Sequence, residues 1–190
     1  MKSGLFIFWV LAITATAGAV AADMPFGVLD IGLGASYARL ERDLDFRDID
    51  ASLAKKTQSG KPDLGKRGYG CMQREDDFAD VGCVSHTERL DGMETREIRM
   101  HFLEGRLQQF SLTAEVQNFD AVIAYLRARY GAPQPVPAGD AGGQPSVKWQ
   151  SEAGQIVAYR GKDLVFVNFE LASYPNAVKR KREGQRLQCG

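Results

Sequence analysis

Cys71 and Cys83 are two of the chain's three cysteines, and acidic residues crowd the stretch between them. A metal site, a redox pair and a disulfide could each use such a pattern. A structural zinc site needs four ligands at short paired spacings, and a thioredoxin-like motif needs C-x-x-C. Eleven residues separate these cysteines, a spacing that suits a bridge between the arms of a hairpin. We therefore predict a Cys71–Cys83 disulfide and no metal site, with swapped pairing and free thiols as alternatives; closing such a loop stabilises a fold by about 3 kcal/mol.

The acidic residues of this stretch are Glu75, Asp76, Asp77 and Asp80. Their spacing does not match the D-x-[DN]-x-[DN]-G calcium loop with its terminal glutamate. The sequence favours a solvated hairpin tip over a calcium site. Cys189, the third cysteine, could pair with a partner, with a second copy of the chain or with nothing.

His86 and His101 are the only histidines. Ser85 and His86 are neighbours on a predicted strand and so face opposite ways, which excludes a local nucleophile–base pair. His86 and Glu88 would share a face, so an acid–base pair there is an alternative hypothesis. His101 alternates with apolar residues and is expected to point outward without a special role. No hydrolase or metalloprotease signature is present, and we expect no catalytic residues and no cofactor.

Two glycine-containing segments approach nucleotide-binding motifs. "GKPDLGKR", residues 60–67, has Arg67 where a phosphate loop needs Ser or Thr. "GLGASY" lacks the third glycine of a dinucleotide fingerprint. Both are interpreted as surface loops or turns.

Basic residues are concentrated near the C-terminus: Lys179, Arg180, Lys181, Arg182 and Arg186. A basic tail can bind an anionic membrane surface or an acidic protein partner. The sequence favours the simpler interpretation of a frayed, solvated terminus, with these residues kept as possible partner or surface contacts.

The N-terminus, "MKSGLFIFWVLAITATAGAVAAD", has the features of a secretory signal peptide: one lysine, an apolar run and small residues before a cleavage site after Ala21 or Ala22. An uncleaved membrane anchor is the alternative. Lys2 is the only charged residue among residues 1–22, so the rest of the chain has one fewer basic than acidic side chain. We expect a periplasmic or extracellular protein in an oxidising compartment, with no electrostatic case for nucleic acid as a partner.

Hydrophobic periodicity predicts helices led by Ser36 and by Asn118 as capping residues. A second helical segment, or a bend, is expected around Phe46, Ile49 and Leu53. Strands are predicted over 69–73, 81–88, 95–102 and 107–115, with a tight turn containing Gly105. Three more strands follow, with turns at 152–154 and 161–163.

The chain therefore reads as a helix followed by an antiparallel meander, twice. This order predicts an α+β fold with the helices on one face of an antiparallel sheet. The expected boundaries are a signal peptide at 1–22, a first unit with the second helix at 23–131, and a Pro/Gly connector at 132–145. A three-strand meander at 146–174, packed on the same domain, and a basic tail at 175–190 complete the chain.

This order, with "GLGASYARL" before the first helix and a Trp-bearing strand "VKWQ" after the connector, resembles the β-lactamase-inhibitor-protein fold. It also resembles the small accessory lipoprotein of the outer-membrane β-barrel assembly machine, although a lipidation cysteine is lacking here. The resemblance spans residues 28–172 and implies a protein-binding role without catalysis. It carries over no binding residues.

Three functions remain open at this stage. The favoured one is an exported, non-catalytic protein-binding module, such as an inhibitor, an immunity-type protein or an envelope-assembly accessory, with another protein as its partner. The alternatives are a small hydrolase using His86 with nearby acids, and a surface-associated structural protein held by its basic tail.

Overall fold

The computed structural model of this chain describes residues 26–29, 31–48, 68–85, 89–90, 92–137 and 145–188. Several predicted features lie outside the described residues: the signal peptide, His86, Glu88, the glycine-containing segment 60–67 and Cys189.

The described residues form strands and helices in the following order along the chain. They are β1 (Gly27–Val28), β2 (Ile31–Gly32), α1 (Tyr37–Asp43), β3 (Phe46–Asp48), β4 (Tyr69–Gln73), β5 (Val81–Ser85), β6 (Arg89–Leu90), β7 (Met93–Leu103), β8 (Arg106–Glu115), α2 (Phe119–Tyr130), β9 (Gln134–Pro135), β10 (Ser146–Ser151), β11 (Gly154–Arg160), β12 (Leu164–Leu171) and α3 (Tyr174–Gln188).

One large sheet carries the fold, with the strand order β3-β4-β5-β7-β8-β12-β11-β10-β9 and β6 paired beside β7. Its strands pair antiparallel except for β3 and β4, which are parallel. The two predicted meanders, β4-β5-β7-β8 and β10-β11-β12, join where β8 pairs with β12. The predicted α+β fold with its antiparallel sheet is confirmed.

The core lies on the face of the sheet that α1 and α2 cover, which we call the inner face. In β7, Ile98, Met100 and Phe102 are buried there, as their alternation predicts. Phe110 of β8 stacks on Phe169 of β12 with ring centroids 4.2 Å apart. The joint between the meanders is therefore a packed part of the core.

Hydrogen bonds at their ends fix the two inner helices. The Ser36 side chain accepts the N–H of Arg39 at 3.3 Å, so the predicted cap of α1 is confirmed. At the end of α2, Trp149 Nε1 donates to the carbonyl of Gly131 at 2.8 Å, and the Tyr130 hydroxyl both accepts from and donates to the backbone of Gly27. Strands β1 and β2 pair antiparallel as a separate two-stranded sheet. This hairpin and the second meander are thus tied to the same helix end.

Three local predictions differ from the structure. Phe46 lies in strand β3, paired with Tyr69, and not in a helix. Asn118 makes no side-chain capping bond, because the chain enters α2 through a 3₁₀ turn, Val116–Asn118. Strand β9 falls inside the predicted connector, where it pairs with β10.

The largest difference is at the C-terminus, where a helix replaces the expected frayed tail. Helix α3 packs against Leu103, which alternates with the inner-face Phe102 and so points away from the main core. One helix therefore lies on the opposite face of the sheet, which we call the outer face.

The turn between β7 and β8 confirms the predicted tight hairpin. Its two central residues, Glu104 and Gly105, have φ values of 55° and 69°. Positive φ at both positions is what a two-residue type I′ turn requires. The turn also places the Glu104 carboxylate beside α3.

Candidate functional site

The outer face of the sheet is covered by α3 at one end only, among the described residues. The strand register assigns the following side chains to this face: Met72, Val84, Glu97, Arg99, His101, Gln109, Ser111, Thr113, Phe166, Asn168, Glu170, Gln155, Val157, Tyr159 and Lys148. Most of them are half-buried by their neighbours on the sheet. The centre of the face, where β8 meets β12, consists of short polar side chains.

A pair of aromatic rings lies on this face beyond the polar centre. Tyr159 of β11 and Phe166 of β12 are cross-strand partners, stacked with centroids 4.9 Å apart. Stacked aromatic rings within a polar surface are typical of the anchoring positions in protein interfaces.

A groove of about 320 Å³ opens at the other side of this face, between β4, β5 and β7. It is lined by Met72, Arg74, Gly82, Cys83, Val84, Glu97, Arg99 and His101. Gly82 contributes to its shape, because a Cβ atom there would lie 2.7 Å from Cδ of Arg74 and the arginine side chain would have to move. The glycine lets the Arg74 side chain lie across the sheet.

Two arginines border the groove, and a carboxylate orients each of them. Arg99 donates from Nη2 to Glu97 at 3.2 Å and also from Nε, and Arg74 donates from Nε to Asp76 at 2.6 Å. These bonds use Nε and Nη2 of each guanidinium, and the Nη1 groups make no hydrogen bond to the described residues that would occupy their donors. The groove thus presents two held guanidinium groups.

The Asp76 carboxylate is held by hydrogen bonds from Arg74 and from two backbone N–H groups. Burial alone would raise the pKa of Asp76, but the hydrogen bonds from Arg74 and from the N–H groups of Phe78 and Ala79 outweigh it and lower the pKa. The carboxylate therefore stays ionised and keeps both the arginine and the hairpin tip in place.

His101 lies at the wall of the groove. Its side chain is half-buried, and its Nδ1 atom is buried without a hydrogen-bond partner among the described residues. Burial, and then the charge of Arg74, lower the pKa of His101. The ring is therefore neutral near pH 7.

The predicted disulfide between Cys71 and Cys83 is present and joins directly opposed residues of β4 and β5, with Cα atoms 4.0 Å apart. It closes the base of the acidic hairpin tip. Among the described residues, no group of three or more His, Cys, Asp or Glu side chains is placed to hold a metal ion.

Helix α3 lies over that hairpin tip and the β7–β8 turn. Tyr174, Ala177 and Val178 bury their side chains against Leu103 in a cluster separate from the main core. The Tyr174 hydroxyl donates to the carbonyl of Phe78 at 3.1 Å. Apolar contact and a buried hydroxyl thus position the start of the helix.

The next residues of α3 form ion pairs with the body of the protein. Arg180 donates to both oxygens of Glu104, at 2.8 and 2.7 Å. Lys181 lies 3.0 Å from Asp80 and donates to the carbonyl of Ala79 at 2.6 Å.

Arg182 donates to Asp77 at 2.8 Å and lies over the ring of Phe78. The acidic tip, expected to be solvated, and the basic tail, expected to be frayed, therefore bind each other.

The basic residues that the sequence predicted as possible contacts do not all pair with the body of the protein. Arg180, Lys181 and Arg182 are brought onto the body, whereas Lys179 pairs within the helix with Glu183 at 3.9 Å. Arg186 lies in α3. The groove with Arg74, Arg99 and His101 was missed, because only the strand register brings these residues together.

Comparison with known proteins adds little to this geometry. No protein-family model and no curated protein match the chain. A crystal structure of a GTP binding regulator from Thermotoga maritima is 12% identical, covers 71% of this chain and 84% of that one, and superposes with a TM-score of 0.34. A likeness of that size carries no argument about fold or function. No described helix has the length and apolar character needed to cross a bilayer.

Proposed function

We propose that this protein is an exported, non-catalytic protein-binding module that binds its partner with the outer face of the sheet. The observation that carries the proposal is the arrangement on this face of an arginine-bordered groove, a polar centre and a stacked aromatic pair. Export is supported by the signal-like N-terminal sequence and by the Cys71–Cys83 disulfide, which is typical of oxidising compartments.

The groove supports a partner that presents a carboxylate-bearing loop. A guanidinium has five donors in a planar fork, and Arg74 and Arg99 each keep part of that fork pointing away from their orienting carboxylates. Because both side chains are already held, binding would cost little additional side-chain entropy. Arg99 and Phe166 lie two strands apart, so an apolar side chain roughly 10 Å from the carboxylate would reach the aromatic pair.

A rigid frame supports a binding role for this face. The sheet behind it is packed on α1 and α2, and the hairpin that carries Arg74 is closed by the disulfide. The surface is thus preorganised, and preorganisation improves affinity without new contacts.

The test is affinity capture from the native compartment at physiological salt, with three forms of the protein compared side by side. The unmodified chain should recover one protein in near-stoichiometric amount. Arg99→Gln combined with Thr113→Arg, which removes a groove donor and blocks the polar centre, should lose it by at least about tenfold. Arg39→Gln is the matched control, because Arg39 is an exposed arginine paired with a carboxylate on α1.

Recovery alone would not support the proposal. Equal recovery by the unmodified chain and by the Arg99→Gln/Thr113→Arg form would contradict the assignment of the outer face. So would equal losses in that form and in Arg39→Gln.

A further inference from the structure

Most of the contacts that hold helix α3 to the body are individually weak, and the exception is Lys181, which is 15% exposed and donates to the carbonyl of Ala79. The apolar contact of the helix consists of Tyr174, Ala177 and Val178 on Leu103, apart from the main core. The side chains of Arg180 and Arg182 remain 55% and 47% exposed while they are paired. Exposed ion pairs contribute little and are screened by salt, so another source of negative charge can replace them.

The same helix has the features of an interfacial membrane helix. The positions that face the body, buried Tyr174, Ala177 and Val178 and half-buried Lys181, repeat at helical spacing along one stripe. Basic residues flank the stripe, and long lysine and arginine side chains can keep their charges at headgroup level while their stems cover apolar surface. In the docked state the stripe faces the protein and is hidden.

We infer that α3 is a membrane-binding element and that the carboxylates of Asp77, Asp80 and Glu104 act as an intramolecular mask, for which an anionic lipid surface competes. When lipid headgroups take over the basic side chains, the helix leaves the hairpin tip and its apolar stripe enters the interface. This inference does not depend on the partner proposed for the outer face.

A lipid surface fits the geometry better than an acidic protein does. Arg180, Lys181 and Arg182 are consecutive, so their side chains leave the helix about 100° apart. The carboxylates that receive them come from two separate segments, the hairpin tip and the β7–β8 turn. A second protein would have to reproduce that arrangement. Mobile headgroups need no fixed arrangement, since each basic residue near an anionic bilayer contributes about equally.

The decisive experiment removes the mask and measures vesicle binding by co-sedimentation. Vesicles contain phosphatidylcholine with roughly 30% phosphatidylglycerol, and control vesicles contain phosphatidylcholine only. The triple variant Asp77→Asn/Asp80→Asn/Glu104→Gln should bind the anionic vesicles about tenfold more tightly than the unmodified chain. Neither protein should bind the neutral vesicles.

A matched variant controls for the change in net charge. Glu41→Gln/Asp120→Asn/Asp163→Asn removes three exposed carboxylates, on α1, on α2 and in the β11–β12 turn. It should bind as the unmodified chain does. An equal gain in both triple variants, or no gain in either, would overturn the inference.

The unmodified chain supplies a second readout that needs no variant. The Glu104 N–H donates to Asp80 at 2.8 Å, and residues 77–80 lie beneath α3. Anionic vesicles should speed amide hydrogen exchange at 77–80 and 103–104 while leaving 98–101 unchanged. Unchanged exchange at the first two segments in vesicle-bound protein would contradict release of the helix. Faster exchange with poly-glutamate at equal charge would reassign the competitor to an acidic polypeptide and refute the choice of lipid.

Discussion

His101 illustrates what alternation predicts for a single residue and what it misses. Its position in β7 correctly predicts a side chain on the face opposite Met100. The same pattern cannot show that the charge of Arg74 and the side chain of Gln109, which come from other segments of the chain, lie close to the ring. Burial by long-range neighbours is a property of the register, which a single strand's sequence does not contain.

The lowered pKa of His101 predicts a stability change with pH. Below about pH 6.5 the unfolded chain binds a proton that the folded chain does not, so stability falls as the pH drops from there toward the folded-state pKa. Because His101→Gln removes this difference, the free energy of unfolding of the variant should depend less on pH between 7.5 and 5.5. The slopes should differ by at most about 1.4 kcal/mol per pH unit. Denaturant titrations at several pH values measure this, and identical slopes would contradict it.

Lys181 and Lys179 form a matched pair for testing the docking of α3. The Lys181 side chain is 15% exposed and Nζ donates to the carbonyl of buried Ala79, whereas that of Lys179 is 76% exposed. Lys181→Met should lower the free energy of unfolding by about 1–2 kcal/mol, because it leaves a buried carbonyl without its donor. Lys179→Met should change it by less than about 0.5 kcal/mol. Urea denaturation compares them, and similar losses would argue against this role.

The elements show which patterns suffice for prediction. Strands β7, β8 and β10–β12 follow from strict alternation and glycine-containing turns, and α2 from its apolar stripe. Strand β3 was predicted as helix because its parallel partner β4 lies beyond a long segment, out of reach of local periodicity. Helix α3 was missed because its apolar stripe is short and the carboxylates that pair with its basic residues precede them by 76 to 105 residues. Complementary charge of the two segments was the one available signal.

The β4–β5 hairpin, which the Cys71–Cys83 disulfide closes, gives a prediction at the scale of the elements. Replacing both Cys71 and Cys83 with alanine should lower the free energy of unfolding by about 3 kcal/mol, since the open loop gains entropy in the unfolded state. Cys189→Ser, which leaves this pair intact, is the control and should stay within about 0.5 kcal/mol. Chemical denaturation without reductant gives both values. An unchanged double variant would mean that the bridge does not constrain the unfolded chain.

At the scale of the molecule, the two meanders form one sheet and should unfold together. Phe110→Ala or Phe169→Ala opens a cavity at the joint and should cost about 3–5 kcal/mol. Trp149 fluorescence, which reports on the second meander, and far-ultraviolet circular dichroism should still give coincident transitions. Phe78→Ala is the control and should cost much less, because the Phe78 ring is 49% exposed and lies under Arg182, away from the joint. Separate transitions in the unmodified protein would show that the halves are independent.

Glu104 also links the architecture to the order in which the molecule assembles. Its carboxylate takes up position only when the two-residue turn around it has formed, whereas Arg180 follows 76 residues later. Closing the short loop costs far less chain entropy than closing the long one. A polypeptide that emerges from its N-terminal end therefore finishes the receiving surface before the last helix appears. A chain that ended before residue 174 would leave the Leu103 side chain exposed to water and to contact with other protein molecules.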